Sequence, residues 1–438
     1  MKLIPDAATV KRALSAHAAI GLIGGALLYL VCLTGTVLVF YEEWQRFEQP
    51  DAPEMTQIAP AAVQRAVVAV MESEADQPPT THLYVHMPVE ELPRTTITTD
   101  HQAVHVDQAG AIVVPEENLW SEFLYALHYT LNLPAVVGIT IVGALGAMIV
   151  ALAVSGVIAH PKIFRDAFRL RARQTGGVAL ADWHNRLSVW TLPFSLALAL
   201  TGAIIGLATV AAYGIAQTGY GGDMEAVYAP LFGDEPAADE ARAPIPNVAA
   251  ALGYMQANHP EVTVTYAVLH DPGTAGQHVQ IVGEHPRRLI FGEYYSFDAA
   301  GDFEGTVGLA DGAIGQQAAA STYNLHFGNY GGLTVKIAYV LFGLALTVVC
   351  ATGVYIWLGK RRRRGIEEPR LRAMWGGVVW GAPLALALTL LARFAIGNAA
   401  PFTAIFWITL VAVVVLAALA PGLRPTPPLR QAGASVSE

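Results

Sequence analysis

Apolar residues in this chain fall into six long blocks, at about 14–40, 134–159, 187–213, 333–358, 373–392 and 401–421. Each is near the ~20 residues that an α-helix needs to cross a hydrocarbon core of about 30 Å. Between the blocks the period changes. Residues 57–72 and 246–258 carry helical spacing, and short β-rich runs follow each: THLYVH, RTTITT and QAVHV, then VTVTYAVLH, HVQIVG and LIFGEYYSF. Such runs mark strands. Both stretches then reach Asp-x-x-Gly, in VDQAG (106–110) and FDAAG (297–301), a turn where glycine supplies the positive φ. The pattern predicts a membrane α-helical chain with two small α+β modules, at 41–133 and 214–332, set between spans. With modest cores of their own, the modules are expected to pack on the membrane surface or on each other.

The two halves also match each other. HAAIGLIGGALLYLVCLTG (17–35) and the segment from His184 to Gly202 in WHNRLSVWTLPFSLALALTG (183–202) both run 18 steps from histidine to a closing Thr-Gly. LHYTLNLP (127–134) leads to Ser155-Gly156, and LHFGNYGG (325–332) leads to Thr352-Gly353, with intervals of 28 and 27 residues from histidine to glycine. The chain therefore reads as duplicated: span, module, span, twice over, giving a four-helix core followed by two C-terminal spans. Pro193 is expected to kink the third span.

Composition sharpens the picture. With 54% apolar and 14% charged residues this is an integral membrane protein. Its net charge of −9 hides an asymmetry. Lys2, Lys11 and Arg12 precede the first span; Lys162, Arg165, Arg169, Arg171 and Arg173 lie in 160–186; Lys360 to Arg364, Arg370 and Arg372 lie in 359–372. The modules carry three arginines each and no lysine, against 15 and 14 acidic residues. Positive loops stay in the cytoplasm, so 1–40 enters from that side, the tail at 422–438 ends there, and both modules lie outside, periplasmic in a Gram-negative bacterial inner membrane. The first block, about 27 residues long and without a small-x-small cleavage site, reads as a span rather than a signal peptide. Nothing here suggests a nucleic-acid partner. Cys32 and Cys350 fall inside spans, so no disulfide framework supports the modules, and no Cys-x-x-Cys-His attaches a c-type haem.

Chemistry concentrates on histidine. An ionisable side chain at a transmembrane helix is costly and marks function. His17 and His184 enter from the inner side, and His128 and His326 from the outer side, at repeat-related positions. Neutral imidazole is an axial ligand for haem iron, and bundles build cofactor sites from facing helices. Two b haems follow as an expectation, one per leaflet. Gly21, Gly24 and Gly25 lie on the helical face of His17, and Ser188 lies one turn after His184. These small residues let a macrocycle, or simply a neighbouring helix, approach closely. His160, ending the second span, shares the inner level, so three histidines compete for two inner positions. Repeat symmetry favours His17 with His184 and His128 with His326. His82, His86, His101 and His105 sit at i,i+4 on strands, roughly 13 Å apart within each pair, too far to share a metal, though cross-strand pairs could. The chain has no Gly-x-Gly-x-x-Gly after a strand, Walker A loop, His-Glu-x-x-His or serine nucleophile motif. Electrons must therefore come from outside the chain.

HAAIGLIGGALLYLVCLTG (17–35), LHYTL (127–131), SGVIAHPKIFRDAFRLR (155–171), DWHNRLSVWTLPF (182–194) and LHFGNYGGL (325–333) together resemble the PepSY-associated transmembrane proteins. That family includes inner-membrane ferric-siderophore reductases of the di-haem type, and the likeness covers roughly residues 10–360. The resemblance implies PepSY-like outer modules and electron passage through two b haems to a ferric siderophore outside, releasing Fe(II). Quinol or a cytoplasmic flavin reductase is the implied donor. The last two spans go beyond the family's four-helix pattern. Two other classes stay open: a PepSY-type regulator or sensor with structural histidines, and a repeat-built transporter of iron complexes.

Overall fold

The computed structural model describes residues 5–168, 177–233, 236–237, 239–284, 289 and 291–420. Helix α1 (Ala7–Leu38) is the first span, begun by Asp6, whose carboxylate accepts from the Thr9 amide. Then come α2 (Tyr41–Glu48), α3 (Pro60–Ser73), β1 (His82–His86), β2 (Thr95–Thr98), β3 (Ala103–Val106) and β4 (Ile112–Pro115). Helix α4 (Leu119–Thr130) leads into the second span, α5 (Ala135–Ala159), and α6 (Ile163–Ala167) and α7 (Gly177–Trp190) lead into the third, α8 (Leu192–Gly219). The second half repeats the order: α9 (Glu225–Phe232), α10 (Val248–Asn258), β5 (Thr263–His270), β6 (His278–Glu284), β7 (Glu293–Phe297), β8 (Phe303–Thr306), α11 (Ile314–Phe327) and the fourth span α12 (Gly332–Arg363). Two more spans, α13 (Pro369–Ile396) and α14 (Phe402–Leu419), close the described chain. Among the described residues six helices are long and apolar enough to cross a membrane, which makes this a multi-pass membrane protein.

The third apolar block is not one helix, as a span over 187–213 supposed. It divides at Thr191 (φ −94°, ψ 0°), because Pro193 lacks an amide and its ring would collide with the preceding turn. The inner part, α7, is thus free to carry His184 at its own angle.

The two α+β stretches are not separate bodies either. Their eight strands form one antiparallel sheet in the order β4-β3-β2-β1-β5-β6-β7-β8, joined where β1 pairs with β5 from His82↔His270 to His86↔Tyr266. A four-stranded half would leave that edge open and bury a thin core; joining satisfies the edge hydrogen bonds. Helices α3 and α10 lie side by side on one face, tied where Gln64 donates to the Pro246 carbonyl (3.1 Å) and accepts from the Ala249 amide (3.2 Å). Beneath them Val63, Val67, Leu83, Ile97, Leu252, Leu269, Ile281 and Phe297 make a common core. The short β4 and β8 had no alternating signature. Each follows an Asp-x-x-Gly turn, with Gly110 at φ 85° and Gly301 at φ 87°, and a Cβ on Gly110 would overlap the Ala62 carbonyl.

Neutral histidines pack into this sheet. Burial holds His86 down at about 4 and His270, with His278 and His82 beside it, at about 3. Burial and nearby Arg94 hold His105 at about 4. All three lie below the ordinary value of 6.5, so their contribution to stability is complete above that pH and is lost as pH falls toward 4. Glu116, pushed up to about 7 by burial and by Glu122, acts in the opposite sense, costing stability as pH rises from 4.5 to 7. Three rings outweigh one carboxyl. Hydrogen-exchange protection of β1 and β5 is therefore expected to be lower at pH 5 than at pH 7; equal protection would show that the rings titrate normally.

Spans α13 and α14 pack against each other and brace α4. Glu48, buried on α2, accepts from the Trp120 amide (3.0 Å), the Ser121 amide (2.8 Å) and Arg393 Nε (2.9 Å) of α13. Trp120 Nε1 donates to Thr389 Oγ1 at 3.1 Å, and the Phe123 ring meets Phe402 and Phe406 at 6.0 Å each. The two extra spans thus clamp the helix that carries His128.

Candidate functional site

Four histidines meet in two facing pairs. The His17 and His184 ring centres lie 6.4 Å apart with planes at 90°, and those of His128 and His326 lie 6.3 Å apart at 30°. Thr34, beside which His128 docks, follows His17 by 17 residues of α1, so the pairs sit roughly 25 Å apart along the bundle.

Each ring is held by a Ser/Thr-Gly step on another helix. His17 Nδ1 lies 3.0 Å from the Leu152 carbonyl and 3.2 Å from Ser155 Oγ of α5. His128 Nδ1 lies 3.1 Å from the Val31 carbonyl and 3.2 Å from Thr34 Oγ1 of α1. His184 Nδ1 meets Thr352 Oγ1 of α12 at 3.0 Å, and His326 Nδ1 meets Thr201 Oγ1 of α8 at 3.1 Å. Within each half the helices clasp reciprocally: α1 reaches α5 and α4 reaches α1, while α7 reaches α12 and α11 reaches α8.

These contacts fix the tautomer. A carbonyl only accepts, so Nδ1 of His17 and His128 carries the proton. The hydroxyls of Thr352 and Thr201 already donate to the Val348 and Ala197 carbonyls at 2.7 Å each, so they too accept from the imidazole. All four rings thereby present an Nε2 lone pair, and among the described residues no hydrogen bond occupies it. A donated Nδ1–H is the usual outer support of a metal-bound histidine. Two imidazoles holding one metal from opposite sides through bonds of about 2 Å have ring centres roughly 6.3 Å apart. Both pairs have that spacing. Among the described residues no group of three or more His, Cys, Asp or Glu is arranged to hold a bare ion.

The glycine after each hydroxyl makes room for the ring. A Cβ on Gly35 would lie 2.6 Å from His128 Cε1, and one on Gly202 2.8 Å from His326 Cε1. At Gly156 and Gly353 the corresponding distances to His17 and His184 are 3.3 and 3.6 Å. Left-handed residues end the two helices that precede spans α5 and α12: Leu131 and Asn132 (φ 55° and 56°) after α4, and Gly328 (φ 78°) after α11. They turn α4 and α11 away from the spans that follow, so that His128 and His326 lie across the bundle.

Other candidates fall elsewhere. His160 caps α5, is exposed, and stands outside both ring pairs, because the chain turns there into α6. Gly24 and Gly25 serve helix packing: a Cβ would lie 2.5 Å from Met148 of α5 and 3.2 Å from Val354 of α12. Gly21 has only Leu152, at 3.7 Å, and Ser188 Oγ donates back to the His184 carbonyl at 2.7 Å. His101 Nε2 donates to the Pro78 carbonyl (2.8 Å), and His82 lies against His270 at 4.9 Å between ring centres. Thr34, Ser155, Thr201 and Thr352 had been read only as markers closing a repeat. Their fourfold recurrence one step before glycine was the signal that they seat something.

A family model, the PepSY-associated TM region, matches residues 14–360. The chain is also similar to a Pseudomonas aeruginosa protein named only as uncharacterized protein PA4219, at 27% identity over 248 residues, 54% of this chain and 62% of that one. The alignment thus spans less than two thirds of the relative. With a match extending over all four histidine-bearing segments and the first four spans, this chain belongs to the PepSY-associated transmembrane family.

Proposed function

We propose that the chain is a bacterial inner-membrane electron-transfer protein with two b haems, reducing ferric chelates, specifically ferric siderophores, on the extracytoplasmic side. The observation that carries this reading is the two imidazole pairs, each at the spacing of an axially ligated metal and each with Nδ1 tied and Nε2 open. His17 and His184 would hold the inner haem and His128 and His326 the outer one. Haem supplies a one-electron Fe(III)/Fe(II) couple. The chain's own part would be to fix the rings, keep water from them within the bundle, and offer two imidazoles to each haem, which favours electron transfer over oxygen chemistry. The basic inner loops and acidic modules support both termini in the cytoplasm and the sheet outside. One electron delivered at the outer level converts a bound Fe(III) chelate to Fe(II), which siderophore ligands hold less tightly.

Purified protein is expected to give a dithionite-minus-oxidised b-type difference spectrum with about two haems per chain, and the reduced form is expected to be reoxidised faster by ferric siderophores than by buffer. Protein without a Soret band would leave the regulator or transporter readings; haem without chelate-dependent reoxidation would remove the substrate and keep the wire.

A further inference from the structure

The inner end of the molecule holds a cavity of about 370 Å³, walled by His160 and Lys162 after α5, Ile163 and Ala167 of α6, and Asn185 and Arg186 of α7. Asp182, Asn185 and Arg186 line it from one face of α7, whereas His184 leaves the same helix on nearly the opposite face, toward His17. An occupant is therefore separated from the inner histidine pair by little more than the width of one helix, about 10 Å.

The buried charge of the wall is paired, and Lys162, which also lines it, is exposed. Arg186, 5% exposed, is bound to Asp182 (2.8 Å) and to the Ala167 carbonyl (3.2 Å), and Arg165 holds Asp166 at 3.0 Å. With Arg186 buried and tied to Asp182, the inner part of the cavity offers an occupant neutral polar groups, which suits a neutral ring system. The volume takes one or two fused six-membered rings and is at the small end of ligand pockets, too small for a dinucleotide. Two polar groups stay open: among the described residues the His160 imidazole and the Asn185 amide make no side-chain hydrogen bond. The cavity begins at His160, which caps span α5, so it lies at the end of a membrane-spanning helix.

We infer that this cavity is a quinol site, taking the neutral head group of a membrane quinol as the electron donor; the inference rests on the haem reading above. The bound quinol gives up two electrons and two protons and becomes quinone. Electrons leave singly across α7 toward the His17·His184 level, and two chelate reductions consume the pair. One hydroxyl proton passes to His160 and the other to water at the cytoplasmic face, where His160 also discharges.

The test is photolabelling of the full chain in detergent or nanodiscs with an azido short-chain ubiquinone and an azido short-chain menaquinone, mapped by mass spectrometry. Equilibrium binding of decyl-ubiquinone is measured alongside, with haem content as a separate readout. Label is expected within 160–186, displaced by unlabelled quinone. His160→Phe, which removes the acceptor, and Lys162→Trp, which fills the cavity from an exposed position, should each weaken binding about tenfold or more without loss of haem. Label confined to other segments, or unchanged affinity in both variants, overturns the site. Haem-loaded protein that binds no quinone also overturns it while leaving the di-haem reading intact; haem-free protein still labelled at 160–186 overturns the di-haem reading and keeps the cavity.

Discussion

His128→Ala and His326→Ala are each expected to halve the haem bound per chain and to slow reduction of external ferric chelates by on the order of a hundredfold or more. On the proposed di-haem reading, each replacement would remove one of two imidazoles whose ring centres lie 6.3 Å apart. The remaining imidazole, still donating Nδ1–H to its Thr hydroxyl, offers a single bond where the intact pair offers two. The inner site should be untouched, since His17 and His184 lie roughly 25 Å of helix away and are seated on Ser155 and Thr352 rather than on Thr34 and Thr201. A dithionite-reduced His128→Ala protein should therefore keep a b-type spectrum of about half amplitude. The mirror variants, His17→Ala and His184→Ala, should also lose one haem but leave the outer one reducible by dithionite. His160→Ala should retain both haems, because His160 is exposed and outside either pair. Two haems persisting in the His128→Ala, His326→Ala double variant would sink the assignment of the outer site.

Much of this arrangement is written in the sequence, and the rest is not, for physical reasons. Hydropathy located all six spans, since a helix in lipid must be apolar over its whole length whatever its neighbours are. The equal 18-residue steps from His17 and His184 tied the histidines to repeat-related places, and rings at equivalent places meet when two halves face each other. What remained hidden depends on contacts between elements. Nothing local says that β1 will pair with β5, because an edge strand and an interior one can share the same alternation. The division at Thr191 follows from Pro193, yet whether proline bends or ends a helix is decided by packing. Gly24 and Gly25 illustrate the opposite trap: small residues on a histidine's face suit a macrocycle and a neighbouring helix equally, and here Met148 and Val354 occupy that face. The purpose of α13 and α14 was invisible because it lies in single long-range contacts, Arg393 with Glu48 and Thr389 with Trp120.

The four seating glycines give a graded test of the same geometry without touching a ligand. Gly35→Ala and Gly202→Ala are expected to reduce haem occupancy at the outer site by about 10–100-fold in affinity, the cost typical of disturbing a ligand's supporting contacts. The new methyl would stand 2.6 Å from His128 Cε1 or 2.8 Å from His326 Cε1, closer than carbon atoms pack, so the ring must swing off its Thr hydroxyl. Neither helix can readily retreat, because Thr34 and Thr201 also hold their own backbones, through the Leu30 and Ala197 carbonyls. At the other pair the effects are expected to be smaller. Gly353→Ala meets His184 at 3.6 Å, an ordinary contact, and should bind haem normally; Gly156→Ala, at 3.3 Å from His17, should show a small loss. Alanine within a helix is favoured over glycine by up to about 1 kcal/mol, so none of the four should lower thermal stability through helix propensity. Haem titration of the apo-protein therefore separates seating from folding. If Gly35→Ala binds as tightly as Gly353→Ala, the rings are not held where the Ser/Thr-Gly steps place them, and the two-point geometry loses its support.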